Sequence, residues 1–229
     1  MSPTNQKFSP RAGTFPGLVR RAFTQIVAIG IISLSAMASA KANSITTLFN
    51  SNNNGSNGGA VYFDATIGSV SLSITSFDIN TASTTSFSNF RVYLLPGMTS
   101  QGHETNAALW GSPVATGSGT GAGVNQPTHV TLSNSFLLTA STLYGIALVA
   151  DPSFGHYYTN GNGSNQNYSN ADLSLFLGSA TNVPFTAPVF SPRVWNGTIY
   201  YNVVPEPSTM ALLGLGAFGL IGLVRRRAR

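Results

Sequence analysis

Between Asn43 and Val203 apolar residues return at every second position, and that period constrains the fold more than any other feature of the chain. In Val70-Ser71-Leu72-Ser73-Ile74, His129-Val130-Thr131-Leu132, Leu173-Ser174-Leu175-Phe176-Leu177 and Thr198 to Val203, polar and apolar side chains alternate. A strand with that pattern turns one set to a core and the other to water. Phe90 to Leu95 and Leu143 to Ala150 are more continuously apolar, as expected of strands covered on both faces. Clusters of Gly, Asn and Pro separate these runs, and no long stretch of the body carries helical spacing. The expectation is an all-β body, an antiparallel β-sandwich that is jelly-roll-like, with an immunoglobulin-like topology as the alternative. About 160 residues suffice for one domain with its own core. With 0 Cys in the chain, that core forms without disulfides, and thiolate chemistry is excluded.

The charges qualify the net value of +5, which by itself invites a nucleic-acid reading. Lys7, Arg11, Arg20, Arg21 and Lys41 lie near the start, and Arg225, Arg226, Arg227 and Arg229 at the end. Between them stand Arg91 and Arg193 against Asp64, Asp78, Glu104, Asp151 and Asp172, so the body is mildly acidic. Nucleic acid is not an expected partner.

The basic ends belong to two apolar segments. Arg20-Arg21 precede Ile26 to Leu34, and small residues follow, which is the order of a signal peptide over residues 1–42. Small-x-small cleavage sites end at Ala40 and at Ala42, the second setting that boundary. At the other end, Met210 to Val224 is 15 residues without a charge, followed by arginines. As a helix it covers roughly 22 Å of a hydrocarbon core about 30 Å thick, a short single transmembrane helix. Arg225, Arg226 and Arg227 act as a membrane stop and hold the C-terminus in the cytoplasm, placing the body outside. Ahead of the run, Pro205 and Pro207 keep the chain extended around Glu206.

Val204-Pro205-Glu206-Pro207-Ser208, the Gly-rich apolar helix and Arg225-Arg226-Arg227 together resemble a PEP-CTERM sorting signal over residues 204–229. The resemblance implies a processing partner, an exosortase, which is a membrane-embedded cysteine transpeptidase-like enzyme of Gram-negative bacteria that make exopolysaccharide. Pro205, Glu206 and Pro207 would be its sorting motif. The precursor would sit transiently in the inner membrane before the body reaches the cell surface or the extracellular matrix of a biofilm. Residues 43–203 also resemble choice-of-anchor domains, extracellular β-rich modules, through Gly58 to Phe63, Ile74 to Ile79, Val92-Tyr93, Trp110 to Gly117 and Leu143 to Val149. That likeness implies an architecture and no ligand.

The inventory for chemistry is thin. His103, His129 and His156 are the only histidines, His103-Glu104 lacks a second His at metal-binding spacing, and no Gly-x-Ser-x-Gly elbow occurs. The expectation is a non-catalytic exported envelope protein without metal or cofactor, sorted through its tail and associated with exopolysaccharide. The alternative is a carbohydrate-binding module built on Gly155 to Asp172, which combines aromatic faces with clustered amides. Its candidate residues are Tyr157, Tyr158, Asn160, Asn162, Asp172 and Trp195. For Trp195, as for Trp110, the two readings are an exposed stacking platform and a buried anchor.

Overall fold

The structure, a computed structural model, describes residues 43–204 and Gly216. The predicted signal peptide, the sorting motif and the rest of the tail lie outside the described residues. Fourteen strands are described: β1 (Asn43–Thr46), β2 (Asn53–Asn54), β3 (Ala60–Ile67), β4 (Ser71–Ile79), β5 (Ser86–Pro96), β6 (Ala115–Thr120), β7 (Thr128–Leu138), β8 (Leu143–Val149), β9 (Tyr157–Asn160), β10 (Asn167–Ser169), β11 (Leu173–Thr181), β12 (Val189–Phe190), β13 (Arg193–Trp195) and β14 (Gly197–Val204). A single helical turn, α1 (Ala107–Trp110), lies between β5 and β6.

Eleven of these strands form one antiparallel sheet in the order β1-β14-β4-β7-β6-β5-β8-β3-β11-β10, with β12 on β11. The two layers of the expected sandwich are therefore halves of one sheet, folded over into a nearly closed barrel. β6 lies between β7 and β5 and is built of small residues. Its inward positions are Ala115, Gly117 and Gly119. A Cβ on Gly117 would lie 2.5 Å from Val130 Cγ1 and 3.3 Å from Phe90 Cδ1, so glycine here makes room for the core side chains of the two flanking strands.

Inside, aromatic side chains from both layers interlock. Trp195 stacks on Phe63 with ring centroids 5.1 Å apart and planes at 8°, and meets Phe77 edge-on at 6.2 Å. Phe77 in turn packs on Phe90 and Phe136. A small second sheet, β13-β9-β2, brings Trp195, Val194 and Tyr158 into this core and covers one end of the barrel. Many polar groups there are paired: Asn125 Oδ1 accepts from Ser51 N and Asn80 Nδ2, and Thr159 Oγ1 donates to the carbonyl of Asn50, while the buried Trp195 Nε1 and Arg193 Nε have no hydrogen-bond partner among the described residues.

The continuously apolar runs predicted to be covered on both faces are β5 and β8. Val92, Ile146 and Leu148 point into the main core, and Tyr93, Leu95, Ala147 and Val149 join a second cluster on the outer face, with Tyr62, Trp110 and Phe185. Phe185 closes that cluster, 5.0 Å from Tyr93 and 5.7 Å from Trp110. The segment after β5 lies over the same face, where Ser100 N donates to Asp64 at 2.6 Å. Gly145 permits the approach, since a Cβ there would sit 2.8 Å from Ser100 N.

The barrel closes where β1 and β14 face β10 and β11. Tyr201 on β14 donates its hydroxyl to Asp172 Oδ2 at 2.9 Å and accepts from Asn170 Nδ2 at 2.8 Å. Asn43 Nδ2 reaches the same carboxylate oxygen at 3.3 Å, and Asn170 Nδ2 also reaches the carbonyl of Ser44. Side chains thus complete a closure that no backbone ladder makes among the described residues.

Trp195 is 1% exposed at the meeting point of both layers. Replacing it with alanine should cost about 3–5 kcal/mol through lost burial and an unfilled cavity. Urea unfolding of residues 43–204 measures this, and a variant as stable as the parent would contradict the packing described.

Candidate functional site

The sequence directs attention to the junction of body and tail, and the structure shows how that junction is built. β14 is an inner strand, paired with β1 from Tyr201 to Thr198 and with β4 along its whole length to the pair Val204↔Ser71. Asn43, where the described residues begin, opposes Tyr201, and Asn202, Val203 and Val204 continue the ladder on β4. All three are partly exposed, whereas Tyr201 is fully buried. Val203 still leans on the main core. A register shift between Tyr200 and Tyr201 leaves Thr75 as an extra residue in β4, and its hydroxyl donates to the carbonyl of Tyr200 at 3.2 Å. The last ladder pairs of β14 therefore lie beyond a bulge.

Pro205 follows Val204 with no intervening residue. It cannot donate to the ladder, and it favours an extended conformation for the residue before it, in keeping with the strand conformation of Val204. Asn43, the first described residue, pairs three positions before Val204, so chain entry and exit share one end of the barrel. Pro205, Glu206, Pro207, Arg225, Arg226 and Arg227 lie outside the described residues.

The candidate glycan residues are not gathered into one surface. Trp195 stacks on Phe63 within the core, so it offers no face to a sugar; it is an anchor of the barrel. Tyr158 is corrected in the same way: it is 3% exposed, with its hydroxyl on the carbonyl of Asn54 and the Arg193 guanidinium 5.7 Å from its ring centre. Tyr157 is half-buried and its N–H donates to the carbonyl of Asn80. The Asn160 side chain accepts from Asn53 Nδ2 at 2.8 Å, and Asn162 Oδ1 accepts from Ser164 N, Ser164 Oγ and Asn165 N. Asn162 thus serves the loop's own turn, and Asn160 ties β9 to β2. Asp172 belongs to the barrel closure, beside Gly68 at the start of β4, while Tyr157 neighbours Asn80 at the end of that strand. Nine residues of strand, roughly 30 Å, separate them.

A cluster not anticipated from the sequence lies on the outer face of β4, β7 and β14. Asp78 Oδ1 faces His129 Nδ1 at 2.8 Å, Asp78 Oδ2 accepts from the Tyr200 hydroxyl at 2.7 Å, and the two rings meet edge-on at 5.8 Å. The bond to Asp78, with burial and the carboxylate charge behind it, pushes the Tyr200 hydroxyl up to about 12. No Ser or Thr hydroxyl hydrogen-bonds His129 among the described residues. His103 Nδ1 faces the carbonyl of Thr99, and His156 is buried with Nε2 donating to the carbonyl of Leu148 at 3.1 Å. Among the described residues no group of three His, Cys, Asp or Glu gathers around a metal-sized space, and no helix is long and apolar enough to cross a membrane.

Compared with known families, residues 203–227 match the PEP-CTERM protein-sorting motif. No curated protein matches the chain. The chain thus carries a PEP-CTERM sorting signal, which implies exosortase-dependent export and membrane-associated sorting toward the cell surface. The match begins at Val203, two residues inside β14.

The histidine environment has a measurable consequence. Burial holds His156 down at about 4, against the smaller upward pull of the Leu148 carbonyl. A depressed histidine contributes stability that is complete above the unfolded value near 6.5 and is lost as pH falls toward 4, because the unfolded chain takes the proton first. The shift corresponds to about 3 kcal/mol. Urea unfolding between pH 7 and 4 should show His156→Gln losing less stability than the parent on acidification; parallel curves would contradict this.

Proposed function

We propose that the barrel is a non-catalytic exported module, released at the cell surface when an exosortase acts at Pro205-Glu206-Pro207, and that it resides in the exopolysaccharide matrix. One observation carries the reading: the sorting motif starts within the last strand of the barrel, so the folded body is itself the cargo of the signal.

The non-catalytic part is supported by the work the acidic side chains already do. Asp64 holds Thr99 and Ser100, Asp78 holds His129 and Tyr200, and Glu104 accepts from Ser179. Asp151 accepts from Ser88, Asn89 and Ser153, and Asp172 from Asn43 and Tyr201. At Asp151 burial pushes the carboxyl up, but the hydrogen bonds from Ser153, Asn89 and Ser88 together outweigh it and hold it below the usual range. Each body carboxylate joins segments of the fold, which is the role of a structural acceptor. The matrix destination is supported by the surface. Outward strand positions such as Ser44, Thr46, Thr116, Ser118, Thr131 and Ser133 are hydroxyl-bearing and exposed, giving a polar face of little charge. Such a face keeps the module hydrated among neutral sugar polymers.

Changing Pro205, Glu206 and Pro207 to Ala together should leave the apolar run intact and trap the precursor in the inner-membrane fraction, as read by fractionation and immunoblotting. Release equal to that of the parent would remove the sorting reading. In a host unable to make exopolysaccharide, the released module should shift from the matrix fraction to the medium. An unchanged matrix fraction would contradict the destination while leaving the sorting step standing.

A further inference from the structure

The sorting reading places a demand on β14 that the closed barrel does not meet as it stands. Met210, which opens the apolar run, is six residues beyond Val204. At about 3.5 Å per residue the barrel ladder therefore ends no more than roughly 21 Å from that run. The cleft that reads Pro205-Glu206-Pro207 must fit into this interval. An extended peptide is commonly bound as an added strand, held through its main-chain groups. On the N-terminal side those groups belong to Val203 and Val204, which are the first residues matched by the sorting motif and are still paired with Leu72 and Ser71.

We propose that Asn202–Val204 is part of the segment the exosortase binds, and that it lifts off β4 to enter the enzyme, with Tyr201 as the fixed end. This rests on the sorting function proposed above. The segment makes the last three pairs of the β14–β4 ladder, ending at Val204↔Ser71. Its side chains are half-exposed, and the bulge at Thr75 already separates its pairs from those of Tyr200 and earlier residues. Such a strand end lies at the low-stability limit of a fold. Tyr201, by contrast, is buried and bonded to Asp172 and Asn170, so lifting stops there and the barrel stays closed. With no residue between Val204 and Pro205, lifting three residues supplies the length that a linker would otherwise give.

The test uses the full-length precursor in cells that hold the exosortase, with pulse-chase loss of the tail as the readout. Val204→Cys with Ser71→Cys joins a directly opposed pair, at a spacing a disulfide can span. Because cleavage of a transiently opened segment tracks its open population, the closed disulfide should slow processing about tenfold or more. Reduction should restore the parental rate. So should a flexible insertion of about six Gly and Ser residues after position 204 with the disulfide still closed. Asn202→Cys with Ser73→Cys leaves Val203 and Val204 free to lift, and should be processed faster than the first variant. An unchanged melting temperature confirms that neither disulfide disturbs the barrel. Parental-rate processing of the closed Val204/Ser71 variant would overturn the proposal. Failure of the sorting reading looks different: the unmodified precursor would keep its tail, or the Pro205, Glu206 and Pro207 alanine variant would be processed normally, and both ideas would then fall.

Discussion

The hydroxyl of Tyr201, shared between Asp172 and Asn170, is the contact on which the arrangement of the chain depends. A sheet of eleven strands has two edges, and edges left open invite pairing with other chains. Here the edge strands β1 and β10 are each short, and the groups of Asn43, Ser44, Asn170 and Asp172 meet across the gap between them. Burial comes first, then the bond to Asp172 and its charge, in pushing the Tyr201 hydroxyl up to about 12, so it stays a protonated donor through the physiological range. With Tyr201 fixed, β14 is held between β1 and β4, and the strand that leads into the tail is also the strand that closes the barrel.

That double role links fold to function. An exported module with a long flexible stalk could be processed without reference to its own folding. Here the described ladder runs to Val204 and the motif begins at Val203. Processing and strand pairing therefore compete for the same main-chain groups. Tyr201, buried and bonded to Asp172 and Asn170, confines that competition to the three residues beyond it. The core around Trp195, Phe63 and Phe77 lies on the far side of the Tyr201 anchor and is not called upon.

Much of the fold is legible in the sequence because it is written locally. Alternation marks β4, β7, β11 and β14, and the continuous apolar runs mark β5 and β8 as covered on both faces. What is not written locally is the identity of short strands. Tyr157–Asn160 and Arg193–Trp195 are strands because they pair with each other, Tyr158 opposite Trp195, and neither segment has enough alternating residues to declare itself. The same limit governs single side chains. Trp195 and Tyr158 have the chemistry of stacking platforms, and only the far-separated partners Phe63 and Asn54 make them core. Asp78, His129 and Tyr200 lie 51 and 122 positions apart along the chain, so register alone unites them. The sorting signal was legible for the opposite reason, since a turn motif, an apolar run and a basic stop are read in linear order. The sequence boundary at 203 differs from the end of β14 by one residue, and that residue joins body to tail.

The central claim is that the barrel is cargo and the tail a removable address. Intact-mass measurement of the protein recovered from the cell surface or medium tests it most directly. The account predicts a mature chain that contains the barrel through Val204 and lacks Met210 to Arg229. A surface species whose mass still includes Met210 to Arg229 would show a permanent anchor and contradict it.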